Sequence, residues 1–162
     1  MINRIFNRRN VDVSGLLASQ LYNEQTFYKA FERDLLRCTE EVVIESPFIT
    51  VRRANILRPI LQKLTAHRVR VVINTRHPQE HDERFEFEAM ESIALFQQLG
   101  VEVLFTGGHH RKLAILDRRV LYEGSLNILS QNDSCEVMRR IESGSLARQM
   151  IVFAKLGSFL NC

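Results

Sequence analysis

Short β-branched runs alternate with segments of helical periodicity, and this alternation constrains the fold more than any other feature of the chain. Glu41-Val-Val-Ile-Glu45, Val69-Arg-Val-Val-Ile-Asn74 and Val101-Glu-Val-Leu-Phe105 read as strands. Helices are predicted over Gln25–Cys38, with Phe27, Ala30, Phe31, Leu35 and Leu36 at helical spacing, over Ala54–Ala66, and from about Glu83 to Leu99. Gly100 suits the C-terminal cap of the third. The polar stretch Thr75–Asp82 contains Pro78 and reads as a loop. His110–Leu116 and Val120–Glu123 read as two strands joined by a tight turn at Asp117-Arg118-Arg119. Cys135–Arg139 reads as a last strand and Ser145–Phe159 as a closing helix. This order predicts an α/β domain with a mixed sheet flanked by helices on both faces. A basic N-terminal arm over residues 1–20, carrying Arg4, Arg8 and Arg9, is expected to precede a single domain over 21–162.

Composition narrows the class. At 162 residues, 45% hydrophobic and 25% charged, the chain has the length and balance of one ordinary globular domain. No stretch approaches ~18 uninterrupted apolar residues, so no membrane span is expected. The net charge of +3 is too small to argue for nucleic acid alone. Lysine, however, occurs only at Lys29, Lys63, Lys112 and Lys155, so the other basic residues are arginine, which grips phosphate with two parallel donors. Lineage bias explains that excess equally well. Cys38, Cys135 and Cys162 are widely spaced with no CxxC pair, so neither a disulfide framework nor a zinc site is indicated. The basic N-terminus lacks a following apolar stretch, and the expected location is a reducing cytoplasm.

The chemistry concentrates in His110-Arg-Lys112-Leu-Ala-Ile-Leu-Asp117, which spells H-x-K-x4-D. With this composition the triplet arises by chance about 0.4% of the time. Gly124-Ser125-Leu126-Asn127 and then Glu136 follow downstream. In a strand, residues two apart share a face, so His110 and Lys112 project together while Asp117 lies opposite or in the turn. An imidazole beside an ammonium suits attack on a phosphodiester. The imidazole attacks or moves the proton, and the ammonium neutralises oxygens as charge develops. Asn127 can donate to the same oxygens. The cationic side chains fill the electrostatic role of a metal, so neither metal nor cofactor is expected.

H-x-K-x4-D followed by G-S-x-N and a glutamate resembles the signature of the phospholipase D superfamily. The likeness extends from about Tyr22 onward, with the specific residues between His110 and Glu136. It implies a site built from two such motifs related by a pseudo-two-fold axis. This chain has one, as in the small bacterial nucleases that complete the site by homodimerising. The resemblance then implies a half-site in which His110, Lys112, Asn127, Glu136 and Asp117 form the catalytic set. One His110 attacks phosphorus to give a phosphohistidine, while the second protonates the leaving oxygen and then activates water. Lys112 and Asn127 bind the phosphate, Ser125 adds a contact, Glu136 orients an imidazole, and Asp117 is structural. The run Glu136-Val-Met-Arg139 is more basic after the glutamate than that pattern.

Plainer readings stand beside these. His110 and Lys112 could be solvated charges, and His109 reads as a loop histidine. His77-Pro-Gln-Glu80-His81 matches a zinc-protease pattern, but Pro78 pushes His77 out of helical backbone and no third ligand is evident. It reads as a polar loop, or as a loop that touches substrate near the cleft. Arg52 and Arg53 either bind nucleic-acid phosphates or merely open a solvated helix. The expected function is a metal-independent nuclease with DNA ahead of RNA. A phospholipase or phosphatidyltransferase is the alternative within enzymes, and a nucleic-acid-binding module associated with a helicase is the alternative outside them.

Overall fold

The computed structural model describes residues 18–130 and 134–160, so the Arg4, Arg8 and Arg9 arm lies outside the described residues. Its elements run β1 (Gln20–Tyr22), α1 (Phe27–Leu35), β2 (Glu41–Glu45), α2 (Val51–Ala66), β3 (Arg70–Thr75), a 3-10 turn (Pro78–Glu80), α3 (Glu83–Gln98) and β4 (Glu102–Phe105). Then follow β5 (Leu113–Leu116), β6 (Val120–Gly124), β7 (Met138–Glu142), α4 (Gly144–Phe153) and α5 (Gly157–Leu160). The strands form one sheet in the order β1-β7-β6-β5-β2-β3-β4. β2, β3 and β4 are parallel, and every other pairing is antiparallel. The sheet is therefore mixed, as the strand–helix alternation predicts.

Strand parity divides the core into two layers. Val42, Ile44, Val71, Ile73, Ala114 and Leu116 face α1, α2 and α3, where Phe27, Phe31, Leu57, Leu61 and Phe96 are buried. Val43, Val72, Leu113, Ile115, Leu121 and Ile141 face the other way, against Ala147, Ile151, Leu156 and Leu160 of the C-terminal helices. Every residue of β2 is buried, which is what a strand covered on both faces requires. Among the described residues no helix is long and apolar enough to cross a membrane.

Several boundaries differ from the sequence reading, each for a physical reason. β1 starts at Gln20 and pairs with β7 through Gln20↔Arg140, so the sheet reaches across the expected 20/21 boundary. The second helix starts at Val51 because the Thr50 hydroxyl accepts from the Arg53 N–H at 3.4 Å. The last strand starts at Met138, three residues late. Val137 N–H is instead taken by the Ser125 hydroxyl at 3.1 Å, and Val137 C=O accepts from Ser125 N–H at 2.8 Å. The closing helix breaks at Lys155, whose φ is 58°. There Lys155 N–H reaches Val152 C=O and Leu156 N–H reaches Ile151 C=O, a left-handed cap that drops Leu156 and Leu160 into the core. Glycine usually fills such a cap, and lysine gives no sequence signal for it.

The β5–β6 hairpin turns where expected. Asp117 and Arg118 have φ of 49° and 51°, the left-handed pair of a two-residue turn matched to strand twist. The Asp117 carboxylate accepts the backbone N–H groups of Thr39, Glu40 and Glu41, each at 2.9 Å. Burial by itself raises the Asp117 pKa, but these donors outweigh it and hold the carboxyl below its ordinary value. The Asp117→Ala variant should lose about 2–3 kcal/mol of stability at neutral pH, the worth of a few hydrogen bonds to a charged acceptor. Because the folded pKa is depressed, this contribution is present above pH ~4 and is lost as pH falls through the lowered value. Urea unfolding of parent and variant at pH 7 and in acid should show the gap closing in acid.

Candidate active site

The motif segment reaches the sheet just before β5. His110, Arg111 and Lys112 lie outside the regular strand, which begins at Leu113, so strand parity is not what brings the histidine and lysine together. They meet nonetheless: Lys112 Nζ lies 3.2 Å from His110 Nδ1 and 3.2 Å from the His110 carbonyl oxygen. The residue between them points the other way. Arg111 Nε and Nη2 fork onto the two oxygens of Glu45, whose side chain is 0% exposed. Asn74 donates to the same carboxylate at 2.8 Å, and Thr106 donates to Asn74 at 3.0 Å. Bonding to Glu45 raises the Arg111 pKa. The ion pair fixes the segment to β2, and His110 and Lys112 meet over the open cleft.

They open onto a cleft of about 730 Å³ lined also by Ser125, Glu123, Arg139, Leu21 and Phe153. Gly124 makes the Ser125 turn possible. A Cβ at this position would stand 2.2 Å from the Val137 carbonyl oxygen, so only glycine lets the two backbones approach. Burial lowers the Lys112 pKa, with Arg76 adding to the effect, while Glu136 opposes it. The Glu136 carboxylate thus lies within electrostatic reach of the ammonium. Its Oε1 accepts from the Ser134 hydroxyl at 3.0 Å. Asn127 sits beyond Ser125, where its carbonyl accepts from the Tyr28 hydroxyl at 3.1 Å. Its Oδ1 is buried with no hydrogen-bond partner among the described residues.

The expected site residues Asp117, Arg53 and Arg52 do not line the cleft. Asp117 is at the far end of β5, ~13 Å along a four-residue strand, so it orders the hairpin rather than joining the catalytic set. Arg53 is not available to phosphate. It is 1% exposed, pairs with Glu32, donates from Nε to Ile128 C=O at 3.2 Å, and lies over the Tyr28 ring at 4.5 Å. Its place on the inner face of α2 makes it a core tie. Arg52 is exposed in the first turn of that helix and does not line the cleft.

Arg76 and Glu45 were not singled out from sequence as site residues. Arg76 donates to the His109 carbonyl at 3.0 and 3.3 Å and carries its charge toward the motif. Burial holds the His109 pKa low; its ring is buried, with neither nitrogen partnered among the described residues. Glu45 is the one that a sequence could have flagged: a carboxylate in a fully buried strand demands a cationic partner. His77 and His81 lie on the loop around the 3-10 turn with His81 pairing against Phe48, not on a shared helix face.

No protein-family model matches the sequence, and neither does any curated protein. Solved structures do match. A phospholipase D family member, Nuc from Salmonella typhimurium, superposes with a TM-score of 0.67 at 16% identity, over 84% of this chain and 90% of that one. An archaeal chromatin protein, TrmBL2, described as having a novel mode of DNA binding, gives 0.59 at 12%, over 88% of this chain and 52% of that one. Phosphatidylserine synthase from Haemophilus influenzae gives 0.64 at 13%, over 87% of this chain and 38% of that one. The mixed seven-stranded sheet with helices on both faces is thus a fold shared with Nuc and with phosphatidylserine synthase.

Proposed function

We propose that this chain is a metal-independent phosphodiesterase that cleaves nucleic acid, DNA ahead of RNA, at a site shared by two copies. The contact that carries this reading is Lys112 Nζ to His110 Nδ1 at 3.2 Å on the wall of an open cleft. An ammonium only donates, so in this arrangement Nδ1 supplies the lone pair and Nε2 carries the proton. The proton for a leaving oxygen comes instead from an imidazolium, with both ring nitrogens protonated and Lys112 moved off Nδ1. The attacking imidazole needs the opposite tautomer, with its lone pair on Nε2 and Nδ1–H given to a carboxylate, and Glu136 is the group for that task. A substrate phosphate would draw the ammonium off Nδ1 onto its own oxygens and release the imidazole.

The reaction then runs in two displacements. Nε2 of one His110 bonds to phosphorus, the ester P–O bond breaks, and the departing oxygen takes the Nε2 proton of the partner subunit's His110, which starts as an imidazolium and is left neutral. Water next gives a proton to that imidazole as its oxygen bonds to phosphorus, and the P–N bond breaks. Lys112, Asn127 and Ser125 donate to the non-bridging oxygens. Arg139, on the cleft wall, suits an adjacent phosphate.

One chain supplies one histidine–lysine pair, so the full site needs a second copy. The cleft rim is apolar: Leu21 is 65% exposed, Phe153 74% and Val137 48%. We assign this rim to the interface between copies. The same rim also favours a second reading, a lipid phosphodiesterase whose substrate approaches across it. A third, a binding module beside a helicase, keeps affinity without cleavage.

Cleavage of labelled single- and double-stranded DNA in excess EDTA should proceed with the parent protein and fall at least ~1000-fold in His110→Ala. Equal activity in both would sink the reading. DNA binding without cleavage in either would support the binding module, and turnover of phospholipid vesicles alone would support the lipid enzyme. In a separate test, Phe153→Asp should shift sedimentation from dimer to monomer and abolish cleavage while leaving thermal unfolding of the monomer near that of the parent. A dimer that persists in this variant would place the interface elsewhere.

A further inference from the structure

The edge of the sheet that carries the motif also carries a row of rings that the proposed chemistry does not use. β2, β3 and β4 are parallel, and β5 runs against β2. The carboxyl ends of the first three therefore lie beside the start of β5. In strand order the edge reads His110–Lys112, then Phe48 after β2, Arg76 and His77 after β3, and Phe105 ending β4. Phe48 and His81 pack as tilted rings with centroids 5.2 Å apart, and His77 and Phe105 do the same at 5.2 Å. Between the pairs the Arg76 guanidinium lies over Phe48 at 5.3 Å, while it also donates to the His109 carbonyl next to the catalytic pair. Phe105 is 45% exposed, and His77 is exposed.

We propose that this edge is a stacking track for an unpaired nucleic-acid strand leading into the His110 cleft, an inference that rests on the nucleic-acid reading above. Rings interleaved with a cation are the general means of holding bases and phosphates of a single strand without regard to sequence. Three strand spacings separate β5 from β4, ~14 Å, the reach of about four nucleotides at the stacked repeat. A duplex keeps its bases stacked on one another and offers no face to these rings. A lipid chain would meet Arg76, His77 and His81 where it needs continuous apolar surface. Nearby carboxylates are partly engaged: Glu80 accepts from the Gly108 N–H at 2.9 Å and Asp82 caps α3, while Glu86 stands beside His81.

The test uses the full chain with His110→Ala, which binds without cutting. Fluorescence anisotropy would be read with oligothymidylate of about 15 nucleotides, with duplex of the same length, and with phosphatidylglycerol vesicles as competitor. Adding Phe105→Ala or His77→Ala should weaken single-strand binding about tenfold each. Phe105→Trp should hold it, and duplex affinity should not change. In the His110-intact protein the same variants should turn over bis(4-nitrophenyl) phosphate like the parent, because that ester spans only the cleft. Unchanged single-strand affinity, an equal loss on duplex, or competition by vesicles at the rings would each overturn the track. Failure of the parent to turn over the small ester would instead contradict the phosphodiesterase reading and leave the binding result standing.

Discussion

The ion pair between Glu45 and Arg111 sets the geometry on which the site depends. Glu45 ends a strand buried on both faces, and an uncompensated carboxylate there would be costly. The Arg111 fork and the Asn74 amide between them satisfy both of its oxygens. Loss of Arg111 would leave the buried Glu45 carboxylate with only the Asn74 amide, which is the costly outcome of breaking such a pair. The consequence reaches beyond stability. Pinning Arg111 inward leaves its two neighbours outward, and they are the histidine and the lysine that meet above the cleft. Charge buried for structural reasons thereby positions the histidine and lysine to which the proposed chemistry is assigned.

Much of this architecture was legible in the sequence. β2 and β3 were marked by β-branched runs, and α3 by its helical spacing and Gly100 stop, because these features act locally. The motif residues were legible by spacing, and the structure does bring His110 to Lys112 and places Ser125 on the same cleft. What was hidden depends on long-range partners. Arg53 looks like its neighbour Arg52 in sequence, and only the packing of α1 against α2 sends one to the core and leaves the other in water. The strand parity invoked for His110 and Lys112 does not operate, since β5 starts after them. The start of β7 and the break after α4 were obscured by a serine side chain standing in for a ladder bond and by a lysine in a glycine's conformation. Asp117 belongs to the same spacing pattern as His110 and Lys112, yet it serves the opposite end of the strand.

The sheet thus divides its labour by edge. One edge holds Asp117 and the hairpin, where carboxylate-to-backbone bonds lock β2 against β5. The other gathers the cleft, Arg76 and the rings, all at strand ends that the sheet order brings side by side. Arg76 links them: it holds the His109 backbone, lowers the Lys112 pKa together with burial, and covers Phe48. In the proposed dimer, two such edges would face each other across the apolar rim, which supplies two motif histidines from a chain that carries the motif once.

The stereochemical course at phosphorus tests the proposed double displacement most directly. A phosphodiester made chiral with sulfur and oxygen isotopes would be cleaved by the parent protein, and the configuration of the product would be determined. Attack by His110 followed by attack of water inverts phosphorus twice, so the expected result is overall retention. Overall inversion would mean that water attacks phosphorus directly and that His110 is no nucleophile.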